Sequence, residues 1–199
     1  MGTRAAYGFV INGQEKITYC HFDGYPTCLG KNLMNEFCKV DTDRLKEAVD
    51  NIVLVTNETE KTIVSQKDYE AMASYGDANV SVEDDFWYRA LRKTQGTILP
   101  YLNENPVRFM IDNKEFMDDS LFCEYAYIIN FDNEVIDVYY RGRNHVVSIP
   151  FHNLQNGYKA DLIDELCEKL DDYINYLQYG EIDEDHMITS KDQCLSFLL

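Results

Sequence analysis

The residues best equipped for chemistry fall in one short segment, Cys20-His21-Phe22-Asp23-Gly24-Tyr25-Pro26. It places a thiol, an imidazole, a carboxylate and a phenol where a β-prone run meets a turn, and a strand end can hold side chains at the mouth of a pocket. If the run is a strand, His21 and Asp23 share a side. Arg4 precedes the facing run, so it belongs near the same end. Arg, His and Asp together suit anion binding or acid–base work. The plainer alternative is a local one, in which Asp23 accepts N–H groups of its own turn, Arg4 pairs with it and Tyr25 packs over the hairpin. On balance no residue is assigned a catalytic role, and Arg4, His21, Asp23 and Tyr25 stand as the alternative site.

Other chemistries lack their patterns. Cys20 and His21 are neighbours on a strand and point to opposite faces, while Cys28 and Cys38 meet His21 only if the fold brings them there, so a thiol nucleophile is not expected. Cys20, His21, Asp23 and Cys28 do not have the paired spacing of a structural zinc site. Asp183 to His186 is carboxylate-rich but lacks the glycine and distal glutamate of a calcium loop. No glycine-rich phosphate loop and no GxSxG occur, and removal of Met1 would expose Gly2, which carries no nucleophile. Neither metal nor cofactor is expected.

The elements that must position these residues are legible by period. Residues 5 to 11 and 16 to 22 are β-prone and flank Asn12-Gly13, a strong hairpin signal. Asp23 to Pro26 stops the second strand. Thr27 then caps a helix bearing Leu29, Leu33, Met34 and Phe37, and Asp41 or Thr42 caps another bearing Leu45, Ala48, Val49 and Ile52. The spacing predicts helices over Gln66 to Tyr75 and from Val82 to about Tyr101, the latter broken near Gly96 and Pro100. Residues 107 to 111 are β-prone, and runs over 122 to 131 and 135 to 140 form a second hairpin at Asp132-Asn133, with residues 146 to 151 as a further strand. Ile163, Leu166, Cys167, Leu170, Ile174 and Leu177 recur at three and four residues, so Ala160 to Tyr179 reads as an amphipathic helix ended by Gly180. The expected fold is α+β: two β-hairpins in a mainly antiparallel sheet, packed with several helices including an acidic C-terminal one, as one domain with an acidic tail element over 180 to 199.

Composition narrows the function classes. The chain has 199 residues, 45% apolar and 27% charged, enough to bury a core without staples. No apolar run approaches the 18 or so residues of a membrane span. The six cysteines are scattered, which fits free thiols in a reducing cytoplasm, and no secretory signal opens the sequence. The formal charge of −17 opposes direct binding to nucleic-acid phosphates. That charge is uneven, −4 over residues 1 to 110 and −13 over the remainder. Asp161, Asp164, Glu165, Glu168, Asp171 and Asp172 avoid the apolar stripe of the last helix, and Glu181, Asp183, Glu184 and Asp185 extend the acidity. Such a strip is either a solvated face or a docking surface for a basic partner, with salt-sensitive binding.

The opening Met1-Gly2-Thr3-Arg4, the His21 to Pro26 motif and the run Cys123-Glu124-Tyr125-Ala126-Tyr127-Ile128-Ile129 together resemble a family of uncharacterised phage and bacterial proteins that begin MGTR and carry a DGYP-type motif about twenty residues later. The resemblance covers the first 40 residues well and the 121 to 142 hairpin loosely. It implies a phage or mobile-element origin and no particular reaction. The sequence thus leads to an acidic, non-enzymatic interaction protein that docks on the basic surface of a host protein, in the sense of an inhibitor of a nucleic-acid-handling or defence factor. The alternative is a small hydrolase or metabolite-binding protein with its pocket around His21, Asp23 and Tyr25.

Overall fold

The computed structural model describes residues 2–75, 86–155 and 160–179. The chain opens with strands β1 (Ala5–Ile11) and β2 (Gln14–Cys20). Asn12 and Gly13 between them both have positive φ, 52° and 72°, the backbone that the tight hairpin turn demands. Strands β5 (Tyr125–Asn130) and β6 (Val135–Tyr140) form the second hairpin, and β7 (Asn144–Pro150) pairs with β6. The resulting sheet has the order β2-β1-β5-β6-β7. Its pairs are antiparallel except that β1 runs parallel to β5, with Ala5 opposite Tyr125. The α+β class with two hairpins in a mainly antiparallel sheet is therefore the observed one.

The parallel pair was not foreseen, because sequence fixes hairpins locally but not how two hairpins dock. Burial explains it. Every residue of β5 is buried, as are nearly all of β1, which is the pattern of strands covered on both faces.

One face of the sheet carries Ala5, Tyr7, Phe9, Cys20 and Tyr125 and lies under the helices. These are α1 (Lys31–Phe37), α2 (Thr42–Asp50), α5 (Phe151–Gln155) and α6 (Ala160–Tyr179). Leu33, Met34, Phe37, Leu45 and Val49 meet Ile163, Leu166, Cys167, Leu170 and Ile174 of α6 in that layer. The other face carries Ala6, Ile17, Cys123, Ala126 and Ile128, covered by the turn Lys114–Asp118 through Met117. A third cluster joins strands β3 (Val53–Val55) and β4 (Phe109–Ile111), a parallel pair, with α3 (Gln66–Ala73) and α4 (Phe86–Leu91) around Trp87.

Several local expectations are corrected. Thr27 caps no helix; it lies inside a wide helical turn, Pro26–Gly30, that begins after Tyr25 and leads straight into α1. The cap expected at Asp41 or Thr42 is present and is Asp41, its carboxylate accepting from Arg44 N–H at 2.8 Å. Of the helix predicted over 82 to 101, the described part is α4 followed by short turns at Arg92–Thr94 and Leu99–Tyr101, separated by Gly96 at φ 85°. Residues 61 to 63 form a short 3-10 turn. The tail expected over 180 to 199, with Glu181, Asp183, Glu184 and Asp185, lies outside the described residues.

Lys16 shows how a charge enters the core. It is 5% exposed, and its ammonium donates to the carbonyls of Val49, Asp50 and Ile52 at 2.9, 2.9 and 2.8 Å. All three ammonium donors are used, at the helix end where a cation is favoured. Burial lowers its pKa while Asp50 opposes the shift.

Candidate functional site

The DGYP turn is built by backbone, not by the Asp23 side chain. Asp23 takes φ 54°, and its carbonyl accepts Leu29 N–H at 3.1 Å. Its carboxylate is exposed and accepts no hydrogen bond among the described residues. The left-handed residue of the turn is thus Asp23, a residue type that tolerates it, and not the glycine beside it. Gly24 serves close approach instead: its N–H donates to the Thr3 carbonyl at 3.1 Å, and a Cβ there would lie 2.8 Å from Ala5 Cβ and 3.2 Å from the Arg4 carbonyl carbon. Tyr127 Oη donates to the Gly24 carbonyl at 3.0 Å and holds the turn from below. Tyr25 caps the next turn with its carbonyl, which accepts from Cys28 and Gly30 N–H.

The four residues of the alternative site do not converge. Arg4 forms no ion pair with Asp23 among the described residues. Its guanidinium lies over the Phe122 ring, 5.1 Å from the centroid, and its backbone is clamped to Glu124 of the segment entering β5. Alternation from Ala5 and Cys20 sets Arg4 and His21 on the sheet face away from α6. His21 Nδ1 is 2.5 Å from Tyr19 Oη, and its ring packs edge-on against Phe22. Tyr25 goes to the opposite face, its ring 6.0 Å from that of Tyr125. The positive φ of Asp23 ends the strand alternation that would have set it beside His21.

The thiols are equally scattered. Burial raises Cys20, whose thiol donates to the Phe22 carbonyl, and pushes Cys38 and Cys123 up to about 11 and Cys167 to about 12. Protonated thiols of this kind are poor nucleophiles. Among the described residues no three His, Cys, Asp or Glu side chains gather where they could hold a metal ion. No described helix is long and apolar enough to cross a membrane.

A polar cluster on the sheet escaped sequence reasoning. Asp137, 7% exposed, accepts from Ser148 Oγ at 2.6 Å and from Asn130 Nδ2 at 3.1 Å, and His145 Nε2 lies 2.9 Å from Ser148 Oγ and 3.4 Å from Asp137 Oδ1. The residue types are those of a nucleophile triad, but the wiring is not. Aspartate and serine meet the same imidazole nitrogen, so the carboxylate does not orient the ring from its far side as a relay requires. The cluster satisfies a buried carboxylate. Its signal was a lone Asp in the apolar run of β6, whose partner became visible only with the Asp137–Ser148 register.

The six acidic residues of α6 divide by geometry. Asp161, Glu165, Glu168 and Asp172 recur at four, three and four residues and share one helix face, spanning about 16 Å along the axis. Asp164 and Asp171 flank that face toward the body of the protein. Asp164 Oδ1 is ion-paired with Lys31 Nζ of α1 at 2.8 Å. Asp171 is half-buried near Tyr125, and burial, then Asp172, raises its pKa. Within the stripe Glu165 pairs with Lys169 at 2.6 Å, so the strip is not as uncompensated as its sequence implied. Asp161, Glu168 and Asp172 form no ion pair among the described residues.

Searches against protein-family models, curated proteins and solved structures find no match to this chain.

Proposed function

We propose that the protein is a non-enzymatic binding protein that docks a basic protein surface along α6. The observation that supports this is the division of α6: Ile163, Leu166, Cys167, Leu170 and Ile174 are spent in the core, with Leu177 left exposed near the helix end, whereas Asp161, Glu165, Glu168 and Asp172 form a ridge in which, among the described residues, Glu165 alone is paired with a lysine. An anionic ridge of this length selects a partner with cationic side chains at matching intervals, and it accelerates encounter more than it deepens affinity. A partner of that kind is a protein whose basic surface otherwise contacts phosphates, which the net charge of −17 keeps this chain from contacting itself. The placement in a phage-like setting, and an inhibitory outcome, belong to the same proposal.

The hydrolase alternative is the weaker reading, because Arg4, His21, Asp23 and Tyr25 are distributed over two sheet faces and an exposed turn. The test is a variant carrying Asp161→Asn, Glu165→Gln, Glu168→Gln and Asp172→Asn. It should retain the thermal stability of the parent and lose salt-sensitive partner capture.

A further inference from the structure

On the sheet face away from α6, between the exit of β2 and the β3–β4 unit, lies a cleft of about 160 Å³. Three aromatic rings line it, Tyr19, Tyr88 and Phe116, together with three side-chain amides, Asn57, Gln95 and Asn113. Two of the rings are fixed, and Tyr88 is partly exposed. Tyr19 and Phe116 meet edge-to-face with centroids 4.8 Å apart, and Tyr19 Oη is held by His21 Nδ1. The amides are not used up. Asn113 Oδ1 accepts from Tyr19 N–H at 3.2 Å and from Thr18 Oγ1 at 3.4 Å, and among the described residues its Nδ2 and the Asn57 and Gln95 amides have no hydrogen bond. Gln95 and Asn113 are half-buried, where unpaired amides are costly unless water or a ligand meets them.

We propose that this cleft binds a nucleobase, as the free base or nucleoside. Aromatic rings offer stacking faces to any planar heterocycle, and side-chain amides present the paired donor and acceptor that base edges require. No described side chain lining the cleft is charged at neutral pH, and burial raises the Tyr19 pKa, so its hydroxyl stays protonated. The site therefore recognises a neutral group rather than a phosphate or carboxylate. Its volume is below the roughly 300 Å³ at which pockets begin to hold drug-sized ligands, which limits the occupant to one ring system with its substituent outside. The acidic surface disfavours a nucleic-acid strand.

The test is a titration of the full chain with adenosine, guanosine, cytidine and uridine separately, with methyl glucoside as a non-planar hydroxylated control, followed by NMR of the side-chain amide groups. At least one nucleoside should shift the Asn57 and Gln95 amide resonances. Gln95→Ala and Tyr88→Ala should each weaken it about tenfold, the equivalent of one lost hydrogen bond or stacking contact. The Gln95 side chain has no hydrogen bond to lose among the described residues, so its variant keeps the fold and the test stays decisive. The proposal is overturned if no nucleoside moves those amides at millimolar concentration, if methyl glucoside does so and the nucleosides do not, or if binding is unchanged in both variants.

Discussion

Lys31 Nζ of α1 lies 2.8 Å from Asp164 Oδ1 of α6, and this ion pair divides the acidic residues of α6 into those that tie the helix to its neighbour and those that face outward. Both side chains are more than a third exposed, so the pair is screened by solvent and salt. Asp164→Asn is therefore expected to lower the melting temperature slightly at low salt and not at high salt, with partner capture unchanged. Paired melting curves at the two ionic strengths check this.

Asp23 holds its turn through backbone conformation. Asp23→Asn and Asp23→Gly should leave stability within about 0.5 kcal/mol of the parent, because both residue types accept φ 54°, whereas Asp23→Ala should cost about 1 kcal/mol. Gly24→Ala should cost more, since its Cβ has backbone of Arg4 and Ala5 Cβ in the way. Urea unfolding of the four variants measures the order. A loss for Asp23→Asn as large as that for Asp23→Ala would return the role to the carboxylate.

The Asp68 carboxylate is 4% exposed and takes both Arg108 Nε and Nη2, at 2.8 and 2.7 Å, while serving Ser65 in the capping box of α3. Arg108, then Ser65, holds its pKa down to about 2 against the opposing effect of burial. A depressed carboxylate stabilises the fold above its unfolded pKa of about 4, and that contribution is lost as pH falls from about 4 to about 2. With Arg108 half-exposed, the contribution is about 1–2 kcal/mol. Asp68→Asn should lose it at neutral pH and show a flatter stability profile between pH 4 and 2, read by urea unfolding across pH.

Lys16→Met keeps the length of the side chain but leaves the carbonyls of Val49, Asp50 and Ile52 without their shared donor. The expected loss is about 1–3 kcal/mol. Hydrogen exchange should show the last turn of α2 opening first.

What the sequence disclosed depended on the range of the signal. Asn12-Gly13 marks its hairpin because the turn is local, and the stripe from Ile163 to Ile174 marks a buried helix face because the period lies within one element. The parallel docking of β1 on β5, the burial of Lys16 under α2 and the Asp137–Ser148 contact all join positions far apart in the chain, and no local pattern encodes them. The DGYP motif was legible as a turn but misassigned in detail, because a carboxylate beside a glycine reads equally as a hydrogen-bond acceptor or as the left-handed residue itself. The Tyr19 cleft went unread for the same reason as the sheet pairing: its rings and amides come from five separate segments.

The central claim is tested most directly by comparing what the parent chain and the Asp161→Asn, Glu165→Gln, Glu168→Gln, Asp172→Asn variant retain from an extract of the source cells at low and high salt, quantified by mass spectrometry. The account predicts one basic partner held by the parent at low salt, released as salt rises, and not held by the variant although its melting temperature is unchanged. Retention of the same partner by both chains, with the same salt dependence, would contradict it.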